Sequence, residues 1–412
     1  MKRKFLFISL IFAYLLFAEN ITIKNGWQLK GAKENINIST FKESCIDLAW
    51  KYDSKKNIWK AYFKEPQKYS NYTNYIEHIY KGDGFWIKSS SSCQIDPDNK
   101  ILSQKETNPF FEYMWSINPN STYIQNNQAV RGSDINISTA WNTTYGDGIK
   151  VAVIDDCFDV SLEDIKDNIY KTYNVKTTFS DVSGENCHGT KVAGIISATD
   201  NDKGIIGVAP KSKLILISIN LENSSDTDFI KAFEYAKDQG AKVINCSWGS
   251  YQISETLSNE LKAIKDAGIT TVFATGNDDL DMDENGINDE SEDSSVIGVG
   301  ASSEYNDVTT YSNYGSNMDL LAPGGEDIGL YTINDNNTYR QERGTSFSAP
   351  IVSGVVALLY SYNPDLTFDK IYEALTKSAD KIGDGKYIDG FNVYRAYGKV
   401  NMGKSLIYIQ AK

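Results

Sequence analysis

Five short apolar runs recur between residues 150 and 299: Lys150-Val151-Ala152-Val153-Ile154, Leu214-Ile215-Leu216-Ile217-Ser218, Val243-Ile244-Asn245-Cys246, Thr270-Thr271-Val272-Phe273-Ala274 and Ser295-Val296-Ile297-Gly298-Val299. Runs that are apolar on both alternations have no face for water, so strands of this kind must be covered on both sides. Helical patterns lie between them, as in Asp226 to Gln239 and Glu255 to Asp266. Short buried strands alternating with helices imply a three-layer α/β domain around a mainly parallel sheet. In such sheets the chemistry collects at the carboxyl ends of the strands.

Three segments stand where that rule directs attention. The first strand ends in Asp155-Asp156. One of only two histidines in the 412 residues, His188, precedes Gly189-Thr190-Lys191-Val192-Ala193-Gly194, an amphipathic helix start. Gly344-Thr345-Ser346-Phe347-Ser348-Ala349-Pro350 places a serine at the head of a long apolar helix, with Pro350 expected in its first turn. Alone, each residue reads as structural: a turn aspartate, a packing histidine, a helix cap. Together they stand in the chain order Asp, His, Ser.

These segments make the chain resemble the subtilisin-like serine proteases, over roughly 300 residues from about Tyr113 to the C-terminus. The resemblance implies a subtilisin-like fold and peptide-bond hydrolysis through an acyl-enzyme. Ser346 attacks, His188 takes its proton, and Asp155 holds the imidazole tautomer and stabilises the imidazolium. Two donors are implied for the developing oxyanion. One is the Ser346 backbone N–H; the other is the Asn277 amide, because Ala274-Thr275-Gly276-Asn277 resembles the family's Gly-Asn segment. Ser247, Trp248 and Gly249 resemble the strand that pairs with the substrate backbone, and Thr275 and Gly276 the opposite pocket wall. The family's Asp-Ser-Gly is here Asp155-Asp156-Cys157. The paired aspartates, with Cys246-Ser247-Trp248-Gly249, resemble the kexin-like branch, which cuts after basic residues, although Cys157 replaces the expected glycine. Asp156 and the Asp278–Asp279 pair are therefore expected to flank the cleft and attract basic side chains.

An acidic segment follows Asn277. Between Asp278 and Asp293 lie nine acidic residues and no basic ones. Asp281, Asp283, Asn285, Asp289 and Glu292 stand at positions 1, 3, 5, 9 and 12 of a calcium-binding loop, with Gly286 at the turn position. The expectation is a structural Ca2+; the alternative is a solvated acidic insertion.

The start of the chain reads as an export signal over residues 1–18: Lys2, Arg3 and Lys4, an apolar core from Phe5 to Phe17, then Ala18. A retained membrane anchor is the alternative, and no membrane span is expected in the mature chain. Residues 19–100 alternate aromatic and polar residues in short runs, such as Ile46 to Tyr52 and Gly84 to Lys88, and read as a small antiparallel β-module, either an accessory binding module or an atypical prodomain. His78, within it, has no metal-like companions. Residues 101–112 read as a linker and 113–412 as the peptidase domain.

Five cysteines in an exported chain suggest two bridges and one thiol. Cys45 with Cys93 and Cys157 with Cys187 are the expected pairs, Cys246 the buried thiol, and five reduced thiols the alternative. The net charge of −13 disfavours nucleic acid as a partner and leaves protein or peptide substrates. The rival functional reading is a catalytically silent surface-binding or adhesion protein built on the protease scaffold. An esterase would use a Gly-x-Ser-x-Gly elbow and a different chain order.

Overall fold

The computed structural model describes residues 108–411 except 285 and 286, and before them residues 21–23, 26–31, 36–37, 41, 46–53, 58–64, 75–76, 78–79, 83–89 and 93–95. The chain divides into two compact units, Met1–Lys64 with His78–Asn99, and Glu65–Glu77 with Lys100–Lys412. The segment read as an export signal and Cys45, with its expected bridge to Cys93, lie outside the described residues.

The smaller unit holds a four-stranded antiparallel sheet in the order Gly26–Gly31, Gly84–Ser89, Ile46–Asp53, Ile58–Phe63. Strict alternation builds it. Phe85 and Ile87 are buried beside Ala49 and Phe41, while Trp86 and Lys88 face outward. His78 sits in a two-residue strand opposite Asn37.

In the larger unit seven strands form one parallel sheet: β1 (Lys150–Asp155), β2 (Ile169–Asn174), β3 (Lys213–Ser218), β4 (Val243–Cys246), β5 (Thr270–Ala274), β6 (Val296–Ser302) and β7 (Leu320–Pro323). Their spatial order is β2-β3-β1-β4-β5-β6-β7. Each central strand feeds two cores. Val151, Val153, Leu214, Leu216 and Val272 turn to the face covered by α1 (His188–Ser197) and α4 (Thr345–Tyr362). Ala152, Ile154, Ile215, Ile217 and Phe273 turn to the face covered by α2 (Asp226–Asp238) and α3 (Glu255–Asp266). This two-sided burial is why the runs are apolar throughout. A hairpin of β8 (Leu330–Asn334) and β9 (Thr338–Glu342) precedes α4, and α5 (Phe368–Ser378) and α6 (Met402–Gln410) complete the unit.

The large unit takes in residues ahead of Tyr113. Within the tract read as linker, Phe111 is buried in the main core and the Phe110 N–H donates to the Gly204 carbonyl at 3.0 Å. Among the described residues α4 alone is long and apolar enough to cross a membrane, and 83% of it is buried in the core.

Candidate active site

Asp155 closes β1 and is wholly buried. Its carboxylate faces His188, with Nδ1 at 2.9 Å from one oxygen and 3.1 Å from the other. Burial lifts the Asp155 carboxyl above its usual range, against the pull of the His188 charge and hydrogen bond. For His188, burial acts to lower the pKa, but the Asp155 charge and hydrogen bond, aided by Asp156, outweigh it and hold the imidazole above its ordinary value.

The histidine reaches this position through the start of α1. Cys187, the residue before the helix, offers no side-chain cap. The missing acceptor comes from Asp156, whose carboxylate takes the N–H groups of His188 at 3.2 Å and Gly189 at 3.0 Å, and also that of Cys157 at 2.5 Å. A carboxylate at a helix N-terminus satisfies orphan donors and complements the helix dipole. This differs from the expectation that Asp156 faces the substrate. Its oxygens are committed to the histidine loop, and it does not line the cleft described below. A disulfide joins Cys157 to Cys187, with Cα atoms 5.0 Å apart, so the aspartate and histidine loops are also linked covalently. Cys246 is the one free cysteine among the described residues; its thiol is fully buried, and burial pushes its pKa up.

The serine side is built by α4. Gly344 precedes the helix with φ of 132°, a conformation suited to glycine, and turns the chain so that Thr345 and Ser346 open the first turn. Pro350 is the sixth helical residue and therefore lies in the second turn, not the first. Having no N–H, it leaves the Ser346 carbonyl without its helical donor, and the Ser247 hydroxyl occupies that carbonyl at 2.8 Å. The Ser346 hydroxyl in turn donates to the Ser247 carbonyl at 3.1 Å. No hydrogen bond joins Ser346 to His188, but the imidazole lies 5.5 Å from the ring of Phe347, the next residue, between ring centres. In unliganded sites such bonds are often long and tighten with substrate.

Asn277 follows β5. Its Oδ1 accepts from the Thr345 N–H at 2.8 Å and the Thr345 hydroxyl at 3.1 Å. That fixes the carboxamide orientation and leaves Nδ2 as the donor. A cleft of about 230 Å³ is lined by Ser247, Trp248, Gly249, Thr275, Gly276, Asn277 and Ser346, bringing together residues assigned to it from the sequence. Trp248 also packs against the core. Its indole donates to the Ile154 carbonyl at 2.8 Å and packs on Phe229 and Phe273.

Five further residues line the cleft: Ala274 and Thr345, and three with side chains of use to a ligand, Tyr251, Asp278 and Asp289. Asp289 was assigned to calcium by its spacing. Here it is 2% exposed and lies beneath Gly249, where a Cβ would come within 2.5 Å of its Oδ2. It accepts the Tyr251 N–H at 3.1 Å and the Ser291 N–H at 2.9 Å. The adjacent Glu290 accepts from the Ser250 N–H at 2.9 Å and hydroxyl at 2.6 Å, and burial lifts its pKa. The spacing alone carried no signal that Asp289 folds back under residues 247–251.

The calcium expected from the loop spacing can be tested by the donors from which the 281–292 carboxylates accept. Asp283 takes the Ser316 N–H at 2.9–3.0 Å and its hydroxyl at 2.6 Å. Asp281 accepts the Asp283 N–H at 3.0 Å, and Glu292 accepts the Asp289 N–H at 3.2 Å. Asn285 lies outside the described residues. Among those described, no three His, Cys, Asp or Glu side chains converge as a metal site would need. The described members of the set, Asp281, Asp283, Asp289 and Glu292, do not converge as a chelating loop would bring them together. Their carboxylates are used as caps and turn acceptors, the alternative that short acidic side chains always offer.

Residues 146–399 match the Subtilase family. A thermophilic serine proteinase of Bacillus sp. (strain AK1) is 34% identical over 318 residues, 76% of this chain and 74% of that protein. Thermitase of Thermoactinomyces vulgaris is 31% identical over 70% of this chain and 99% of its own length. Among solved structures, a protease from Pseudoalteromonas arctica superposes with a TM-score of 0.63 at 26% identity, covering 73% of this chain and 98% of that one. The serine protease of Aeromonas sobria, at 23% identity and a TM-score of 0.64 over 73% of this chain and 67% of its own, shares the fold. A sheet, a cleft and a histidine–aspartate pair of this arrangement, on a chain with these relatives, place the protein in the subtilase family of subtilisin-like serine endopeptidases.

Proposed function

We propose that the chain is an exported endopeptidase whose nucleophile is Ser346, whose general base is His188 and whose orienting carboxylate is Asp155. The observation that carries this reading is the buried Asp155 carboxylate 2.9 Å from His188 Nδ1, with the imidazole 5.5 Å from the ring of Phe347, the residue after Ser346; Ser346 lines the cleft with Asn277. With Nδ1 committed to Asp155, Nε2 is the atom available to take the serine proton. The tetrahedral oxyanion then forms between the Asn277 Nδ2 donor and the Ser346 N–H at the head of α4, donors that need no rearrangement at the moment of attack. The leaving amine takes the proton from His188, and water hydrolyses the acyl-enzyme by the same relay.

For specificity we propose a basic residue on the acyl side of the scissile bond. Asp289 and Asp278 support this, since both line the cleft. Asp278 also accepts from the Tyr251 hydroxyl, which holds it at the rim. The peptide backbone is read as an added strand along residues 247–249. The start of the chain supports export, and residues 19–100 are assigned to a β-rich accessory module or atypical prodomain.

Labelling with a serine-reactive fluorophosphonate, followed by peptide mapping, tests the reading. The expected adduct is on Ser346, absent from Ser346→Ala. An unlabelled, correctly folded wild-type protein would favour the silent scaffold instead.

A further inference from the structure

We propose that the ion pair of buried Lys191 with half-buried Glu342 is a positioning device that fixes the histidine helix against the strand delivering Ser346, and so sets how closely His188 can approach the serine hydroxyl. This rests on the triad reading above. Lys191 lies one turn beyond His188 on α1 and is only 7% exposed. A lysine at that depth is costly unless paired. Its ammonium meets Glu342 Oε1 at 3.0 Å and Asn186 Oδ1 at 3.2 Å. Glu342 is the last residue of β9, four positions before Ser346, and the same oxygen meets Arg340 Nε at 2.8 Å.

The β8–β9 hairpin holds α1 at other points too. The Thr332 hydroxyl donates to the Lys191 carbonyl at 2.5 Å, and the Asn186 N–H donates to Asp335 at 2.7 Å. A Cβ on Gly194 would come within 2.7 Å of the Ile333 side chain. The hairpin is thus docked on the residues around His188 and runs directly into the residues before Ser346. The Asp155 contact sets the imidazole's orientation from the strand side. Its distance to Ser346, 158 residues on in the chain, depends on how the two helices are held together, and Lys191–Glu342 is the charged joint between the first helix and the strand that leads into the second.

The pair also bears on the base itself. The groups facing His188 are Asp155 and Asp156 from the end of β1, Lys191 from its own helix and the neutral Phe347 from α4; Glu342 of the hairpin acts through Lys191. The Lys191 charge opposes the two aspartates and lowers the imidazole pKa.

The test uses the full-length active enzyme, with turnover normalised to fluorophosphonate-titrated sites. Lys191→Met and Glu342→Gln are each expected to lower kcat by about 10- to 100-fold, with KM within about twofold, as misplacement of a base by a fraction of an ångström does. The double variant should be no worse than the poorer single one, because both remove the same joint. Lys191→Arg should retain most of kcat, and Lys191→Met should move the acid limb of the kcat/KM profile to higher pH. A merely structural pair would lower the melting temperature and leave kcat per site and the pH limb unmoved, and that result overturns the proposal. If Lys191→Met does not fold, Glu342→Gln and the exchanged pair Lys191→Glu with Glu342→Lys decide the matter by the same criteria. Ser346→Ala is run alongside. If it keeps turnover, the triad reading fails and takes this proposal with it; if it is inactive while the joint variants are normal, only the proposal fails.

Discussion

Residues 155–157 and the acidic loop at 281–292 are both rich in carboxylates, yet of the two it is the loop, through Asp289, that reaches the cleft. Asp156 places its oxygens on the N–H groups of Cys157, His188 and Gly189, so its charge is absorbed by the start of α1 and by the histidine loop. Asp289 is also held by backbone donors, but it lies under Gly249 and forms part of the cleft wall. Proximity to the site in sequence therefore does not say which carboxylate a substrate meets. What decides is whether a low-dielectric path to the ligand is open after the backbone donors have been served. One region orders the histidine loop, and the other contributes a carboxylate to the cleft wall.

The sharpest way to break this contrast is to remove the catalytic base. His188→Ala should cost turnover on the order of 10⁶-fold, as loss of one member of such a unit does in subtilisin, and adding Ser346→Ala should cost little more. Near wild-type peptidase activity in either variant would dissolve the distinction between the two regions.

The covalent tie comes next in size. Replacing Cys157 and Cys187 by serine removes a bridge spanning 30 residues. A loop of that length predicts a loss of about 3–4 kcal/mol of stability, measured as a lower denaturant midpoint. Two free thiols in a mass map of the unreduced protein would remove the bridge from the account.

Asp156→Asn and Asp289→Asn test the exchange of roles directly. Asp156→Asn should reduce kcat for every peptide, with the preference among substrates unchanged. Asp289→Asn should reduce kcat/KM for peptides with Arg or Lys before the scissile bond by about 10- to 100-fold, the worth of one charge-assisted contact, and leave neutral peptides nearly unaffected. A changed side-chain preference in Asp156→Asn, with none in Asp289→Asn, would reverse the assignment.

The smallest effect is expected at Asp283. Because it is bonded to Ser316 rather than gathered into a cation cage, Asp283→Ala should lower stability by about 1 kcal/mol, to the same extent with and without a chelator. A loss seen only in the presence of free calcium would restore the loop as a metal site.

The two-sided apolar runs required helices on both faces of a parallel sheet, and Val243–Cys246 and Thr270–Ala274 begin and end where the residue pattern places them. The edge strand Ile169–Asn174 was not legible, because its half-exposed residues lack the apolar run of a central strand. Nor was the β8–β9 hairpin, whose tyrosine, threonine and charged residues carry only a weak alternation. The settings of Asp155, His188 and Ser346, a strand end and two helix starts, were readable because such settings leave motifs of adjacent residues. The carboxylates at 156 and 281–292 leave no such trace: an aspartate accepts equally well from a helix start, a turn, a hydroxyl or a cation. Which donor it meets depends on segments far away in the chain, such as Gly189 for Asp156, Tyr251 for Asp289 and Ser316 for Asp283. Sequence alone determined the layers and the chemistry available at the strand ends. Only the packing of distant segments decided which charges line the cleft, because a carboxylate's place is set by the donors that fold against it.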